Sequence, residues 1–279
     1  MIAPLSRSYA DARTAFLDAA AAAGARIESS PHPRRGLDGE QLAVDVAEVG
    51  PADADTVIVV VSGTHGVEGY LGSALQRHHL GQLAGHDTSP AFVFVHALNP
   101  YGFSWVRRVN EDNVDLNRNF VDWSQPLPRN DEYAELADVI VPSGWSDDEQ
   151  QATLLALLGK LEEVGLERLQ QIISGGQYDH PTGVFYGGTG PVWSHRWLRE
   201  FASRRLAGVA RAAVIDLHTG LGPWGHGELI SSQVPAPSRT SVSERAGPTS
   251  RRCTTAAASP PSWQATGSPS PSRSRPTRR

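Results

Sequence analysis

Three stretches of this chain are apolar almost without interruption, and each ends in a glycine or polar residues. They are TVIVVVSG (56–63), AFVFVHALN (91–99) and AAVIDLH (212–218). A strand with one wet face alternates apolar and polar residues, so continuous β-branched runs read as strands covered on both faces. Helical stretches separate them. Residues 8–23 are Ala-rich, 70–83 follow the first run, and 193–208 precede the third. Residues 148–173 place Leu154, Leu157, Leu158, Leu161 and Val164 at helical spacing, with Gly159 and Gly165 as interruptions. QLAVDVAEVG (41–50) alternates like a half-buried strand, and GELIS (227–231) is read as a further strand. Strands alternating with helices predict an α/β domain whose mixed, largely parallel sheet is flanked by helices.

Composition divides the chain. Residues 1–233 carry 17 basic and 29 acidic side chains, a net charge of −12, whereas residues 234–279 carry eight Arg against Glu244 alone, a net +7. Those last 46 residues contain no Leu, Ile, Phe, Tyr or Met, and Ser, Thr, Pro, Arg and Ala supply 38 of them. Too little apolar surface is present to offset the entropy of ordering, so a disordered tail is expected. A natural basic tail would have such a composition. A frameshift explains it better. One Lys among 25 basic residues suggests a GC-rich gene, whose out-of-frame translation tends to give Arg, Pro, Ser, Ala and Thr. The strand-like GHGELISS also runs straight into the tail without a closing element. The domain, 1–233, is accordingly expected to be incomplete at its C-terminus.

Several classes are excluded or disfavoured. Cys253 is the single cysteine, so there is no disulfide framework and no cysteine-built zinc knuckle. With no G-x-S-x-G and with Cys253 in the tail, a serine or cysteine hydrolase is disfavoured. The net charge of −5 argues against a nucleic-acid partner. No run approaches the ~18 apolar residues of a membrane span. The N-terminus lacks the charged start and apolar core of a signal peptide, so a cytoplasmic location is expected.

Polar residues gather where the buried strands end, which is where open α/β sheets bind ligands. In SGTHGVEG (62–69), His65 and Glu68 stand three apart among glycines, a spacing that suits a shared cation or, alternatively, a polar helix start. The third buried run ends in His218. Together His65, Glu68 and His218 form a His₂Glu set, the usual three-ligand arrangement of a catalytic zinc site. NPYGFSWVRRVNEDNVDLNRNF (99–120) is the most specific stretch. Its adjacent Asn117 and Arg118 suit a carboxylate, and a further Arg would serve a carbonyl oxygen. Asp115 suits the far nitrogen of a metal-bound histidine. His78 and His79 are read as surface residues and His96 as a core histidine. GQYDHPTGVFYGG (176–188) is read either as a pocket wall, through Tyr178, His180 or Tyr186, or as a structural loop.

In this order the motifs HxxE, NPxGF with a following Arg, DLNRNF and a strand ending in His resemble the zinc carboxypeptidases, peptidase family M14. The wording of SGTHGVEGY, RRVNEDNVDLNRNF, GQYDHPTGVFYGG and DLHTGLGPWGHGELI is similar to the bacterial DUF2817 branch, near the succinylglutamate desuccinylases and aspartoacylases. The resemblance spans about residues 5–233. It implies one Zn²⁺ per chain on His65, Glu68 and His218. It implies that Asn117 and Arg118 hold a substrate carboxylate and that Arg107 or Arg108 polarises the scissile carbonyl, with Arg107 fitting the Trp–Arg spacing slightly better. The implied substrate is a small peptide or N-acyl amino acid with a free carboxylate.

One family feature is missing. The relatives' general base is a glutamate on a later strand, in a Glu-Phe-Gly-Thr-like setting, and nothing comparable follows Gln233. Glu228 precedes the place where that base belongs and is a poor substitute. The expected function is therefore zinc-dependent amide hydrolysis, as a carboxypeptidase or a deacylase of N-acyl amino acids, impaired by the missing base. The alternative is a non-catalytic metal-binding remnant.

Overall fold

Ser8 opens the first helix, α1 (Tyr9–Ala22), by accepting the Asp11 backbone N–H at 3.1 Å. Tyr9, Ala12, Phe16 and Ala20 form its buried stripe. The helix ends in paired bonds from Ala25 N to Ala20 O and from Gly24 N to Ala21 O, with Gly24 at φ +69. That left-handed turn is open to glycine without steric cost. These observations come from a computed structural model that describes residues 4–220 and 222–230. The expectations for residues 234–279, and for Ser231 of GELIS, lie outside them.

The domain is α/β, with a mixed five-stranded sheet between helices. The strands are β1 (Arg26–Arg35), β2 (Gln41–Val49), β3 (Thr56–Ser62), β4 (Ala91–His96) and β5 (Arg211–Leu217), in the order β1-β2-β4-β3-β5. β4 and β5 both pair with β3 in parallel, while β1–β2 and β2–β4 are antiparallel. Alternation along each strand divides the core between the two faces. Val44, Val46, Val57, Val59, Val61, Val93 and Val95 pack on one face with Phe201 of α8 (Trp193–Arg205). Ala47 and Phe94 pack on the other with Phe16 and Ala20 of α1 and Leu80 of α2 (Gly69–Leu83).

The remaining helices are α3 (Pro100–Ser104), α4 (Leu116–Asn119), α5 (Asp131–Ile140), α6 (Asp147–Val164) and α7 (Leu166–Ser174). The helix expected over 148–173 is thus two helices. Gly165, at φ +79, breaks it, and no residue of α6 is buried. GELIS is also corrected. Residues 227–230 pair with no strand among the described residues, and Leu229 and Ile230 stand exposed. His79 is not simply a surface residue, because its ring packs edge-on against Phe92 at 5.1 Å. His96 is a core histidine as expected, fully buried and stacked on Phe16 at 4.4 Å.

Candidate metal centre

The carboxyl ends of the parallel strands β3 and β5 deliver the three candidate ligands. After Ser62 the chain turns at Gly63, φ +69, and His65 leads into a single 3₁₀ turn, Gly66–Glu68, that runs on into α2. This turn is fastened to the loop after α3. Gly66 N–H donates to the Arg108 carbonyl at 3.2 Å and Val67 N–H to the Arg107 carbonyl at 3.0 Å. His218 arrives from the end of β5, directly after Leu217.

The ligand atoms of His65, Glu68 and His218 all lie within 4.8 Å of one another. His65 Nδ1 is 2.8 Å from Glu68 Oε1. His218 Nδ1 is 3.2 Å from His65 Nδ1 and 3.4 Å from Glu68 Oε2. His65 is buried, Glu68 is 9% exposed, and His218 stands at the exposed side of the cluster. Glu68 Oε2 also accepts the Thr219 backbone N–H. Two imidazole nitrogens and a carboxylate converging at this range are a donor set that suits zinc. Among the described residues, no other group of His, Cys, Asp and Glu meets these terms.

The charges around the ligands are strongly coupled. Burial raises the Glu68 carboxyl, but hydrogen bonds from His218, His65 and the Thr219 N–H outweigh it and leave the pKa well below the usual carboxylate range. Burial lowers both imidazoles, yet His65 is raised overall by Asp115 and Glu68, and His218 is raised to about 10 by Asp216 and Glu68. Two basic imidazoles over an acidic carboxylate describe a site that holds positive charge, carried by protons or by a metal ion that replaces them.

Asp115 stands behind His65, as its place in the sequence suggested. Fully buried, it meets His65 Nε2 at 3.1 Å through Oδ1 and accepts Arg108 Nε at 2.9 Å through Oδ2. Its Oδ1 also accepts the Asn117 backbone N–H at 2.9 Å, which caps α4. Burial raises its carboxyl, but His65 and Arg108 bring it down to about 2. With the Nε2 proton held by this carboxylate, Nδ1 is the nitrogen left to offer a lone pair to a cation between Glu68 and His218.

The two candidate arginines separate. Arg108 Nη1 lies 3.7 Å from Glu68 Oε1, beside the ligands. Arg107 Nη2 instead donates to Asn113 Oδ1 at 3.3 Å. Asn117 presents its exposed amide 3.5 Å from His218 Nε2. Arg118 lies to one side. It donates to the Asn117 carbonyl at 3.1 Å and the Ser174 carbonyl at 2.5 Å, while its buried Nε has no partner among the described residues. The Tyr178 hydroxyl donates to the Arg118 carbonyl at 2.7 Å. Tyr186 sits in the core, and His180 packs on Tyr133. Glu228 is exposed, with no hydrogen bond or ion pair among the described residues.

Sequence reading missed Phe185. The Arg108 guanidinium lies 5.0 Å from its ring centre and that of Arg118 5.7 Å, so one ring spaces two cations. Its backbone φ of +53 is unusual for an aromatic residue. The motif around it drew notice for its tyrosines and its histidine, and nothing in residue type alone distinguishes a spacer ring from a core ring.

The family model described as "Protein of unknown function (DUF2817)" matches residues 5–267. No curated protein matches the chain. Among solved structures, similarity extends to the Fimbriiglobus ruber glutaminyl cyclase, at 13% identity and TM-score 0.26, over 34% of this chain and 38% of that one. Bovine thrombin-activatable fibrinolysis inhibitor in complex with tick carboxypeptidase inhibitor matches at 14% and 0.45, over 82% and 66%. A succinylglutamate desuccinylase/aspartoacylase family protein from Shewanella amazonensis matches at 20% and 0.35, over 70% and 47%. The chain thus spans well under half the length of the glutaminyl cyclase. At these identities and scores no activity carries over to this chain.

Proposed function

The chain belongs to the DUF2817 family, and from that premise we propose that it is built for zinc-dependent hydrolysis of an amide bond. The observation that carries this reading is the convergence of His65 Nδ1, His218 Nδ1 and the Glu68 carboxylate, with Asp115 behind His65. Zinc held by these three residues would supply a Lewis acid and a water acidified toward neutrality. Arg108, the cation beside the ligands, is placed to take up negative charge developing on a carbonyl oxygen. Asn117 and Arg118 would hold a free carboxylate, a stronger acceptor than the backbone carbonyls Arg118 now meets. The substrate class that follows is a small peptide or an N-acyl amino acid. The chain works in the cytoplasm on this reading. Among the described residues, no helix is long and apolar enough to cross a membrane.

Turnover is proposed to be slow. Among the described residues, the carboxylates bonded to the ligand histidines are Glu68, Asp115 and Asp216, and each is already engaged there. None is free to shuttle a proton to a leaving amine, and losing such help costs ~10²–10⁴-fold in rate. The same observation favours a second reading, a remnant that binds metal without turnover. We also propose that residues 234–279 are translated out of frame, which re-sequencing the gene beyond the codon for Gln233 tests.

The test of function is turnover of N-acyl amino acids and dipeptides by the purified chain loaded with one equivalent of zinc. Slow hydrolysis is expected, abolished by a chelator and by amidation of the substrate carboxylate. Zinc binding without measurable hydrolysis selects the remnant. Hydrolysis that survives the chelator would refute both.

A further inference from the structure

We propose that Asp216 is a positioning residue for the metal centre, held by Thr64 and fixing the tautomer of His218. This inference rests on the zinc reading above and adds residues that no motif had singled out for this role.

Asp216 is the sixth residue of β5, and His218 follows two positions later, just past the strand's end. Asp216 Oδ2 lies 2.8 Å from His218 Nε2. Its other oxygen, Oδ1, accepts the Thr64 hydroxyl at 2.8 Å. Thr64 directly precedes His65. In the parallel register of β3 and β5, Val61 faces Asp216 and Ser62 faces Leu217. One carboxylate therefore ties the strand end that carries His218 to the turn that carries His65.

The tautomer of His218 decides whether the centre can form, since Nδ1 faces His65 and Glu68 and must carry the lone pair to bind a cation. Two groups compete for Nε2. The Asn117 amide nitrogen, at 3.5 Å, is a donor and would require the lone pair on Nε2. The Asp216 carboxylate, at 2.8 Å, is an acceptor and requires the proton there. The shorter, charge-assisted contact is the stronger. Asp216 thus does for His218 what Asp115 does for His65, and each ligand histidine has its own carboxylate.

The test compares wild type with Asp216→Ala, Asp216→Asn, Thr64→Val and Thr64→Ser. Zinc affinity is read by competition with a chromophoric chelator, and the His218 tautomer by ¹⁵N NMR of the imidazoles. Asp216→Ala is expected to weaken zinc by 10–100-fold, the range for removing such a partner. In the zinc-free protein, at a pH where the imidazole is neutral, the Nε2–H form of His218 should lose its dominance in Asp216→Ala. Thr64→Val should weaken zinc several-fold and Thr64→Ser restore it. If Asp216→Ala proves unstable, Asp216→Asn and Thr64→Val carry the comparison. Zinc affinity within threefold of wild type in Asp216→Ala and Thr64→Val, with unchanged His218 signals, would overturn the inference alone. Failure of the wild type to bind zinc would overturn it together with the metal centre itself.

Discussion

At the scale of single residues, adjacent arginines make different contacts. Sequence spacing leaves Arg107 and Arg108 as alternatives because neighbours on an irregular loop have no fixed facing. Backbone bonds from Gly66 and Val67 settle the loop, and Arg108 alone then reaches Glu68 and Asp115. If the chain turns over, Arg108→Ala should lower kcat/KM by about 10²–10³-fold, the cost of removing an oxyanion donor. Arg107→Ala should stay within a few-fold. The opposite order in steady-state kinetics would move the role to Arg107.

His96 makes a separate prediction about pH. Burial holds it down at about 4 from an ordinary 6.5, with one ring nitrogen bonded to Ser73 and the other without a partner among the described residues. The unfolded chain therefore takes up a proton below about pH 6.5 that the folded one refuses until about pH 4. Stability supplied by neutral His96 is complete above pH 6.5 and is lost as pH falls through that window, on the order of 3 kcal/mol. Urea unfolding at pH 7 and pH 4 should show a smaller drop for His96→Leu than for wild type. Equal drops would exclude His96 as a source of acid sensitivity.

Elements were legible where burial is simple. The three apolar runs became β3, β4 and β5, and the Ala-rich start became α1. β1 went unread because RIESSPHPRR is largely exposed, offers no apolar alternation and contains Pro31 and Pro33. Proline is tolerated there because β1 is an edge strand, and its register with β2 shifts between Pro31 and Arg35. The turn that holds His65 and Glu68 depends on a close approach that sequence cannot display. A Cβ on Gly66 would run into the backbone of Gly102 and Phe103. Gly66→Ala should cost about 1–3 kcal/mol and at least tenfold in zinc affinity. Gly81, in α2, has nothing within 4 Å of its would-be Cβ, so Gly81→Ala should stabilise by about 0.5–1 kcal/mol. Thermal melts and zinc titrations of the pair check this, and a harmless Gly66→Ala would show the turn to be less tightly fastened.

At the scale of the whole molecule, the sequence implied alternating strands and helices but not their order. That β4 lies between β2 and β3, and that β5 stands at an edge, follow from pairings distant in sequence. β5 reads as a strand covered on both faces, yet Val214 is 63% exposed and Ile215 40%. Among the described residues, nothing pairs with its outer edge. Such an edge is a template for association with other chains. Light scattering at rising concentration should show association of the wild type and less of it for Val214→Lys. A wild type that stays monodisperse would mean that the edge is covered.

Candidate ligands brought together from residues 65, 68 and 218 are the basis of everything proposed for this chain. Crystals grown with zinc and measured on both sides of its absorption edge test them most directly. The expected result is one anomalous peak per chain, at about 2.0–2.2 Å from His65 Nδ1, His218 Nδ1 and a Glu68 oxygen. No peak there, or a zinc bound through either Nε2, would contradict the proposed centre and the roles given to Asp115 and Asp216.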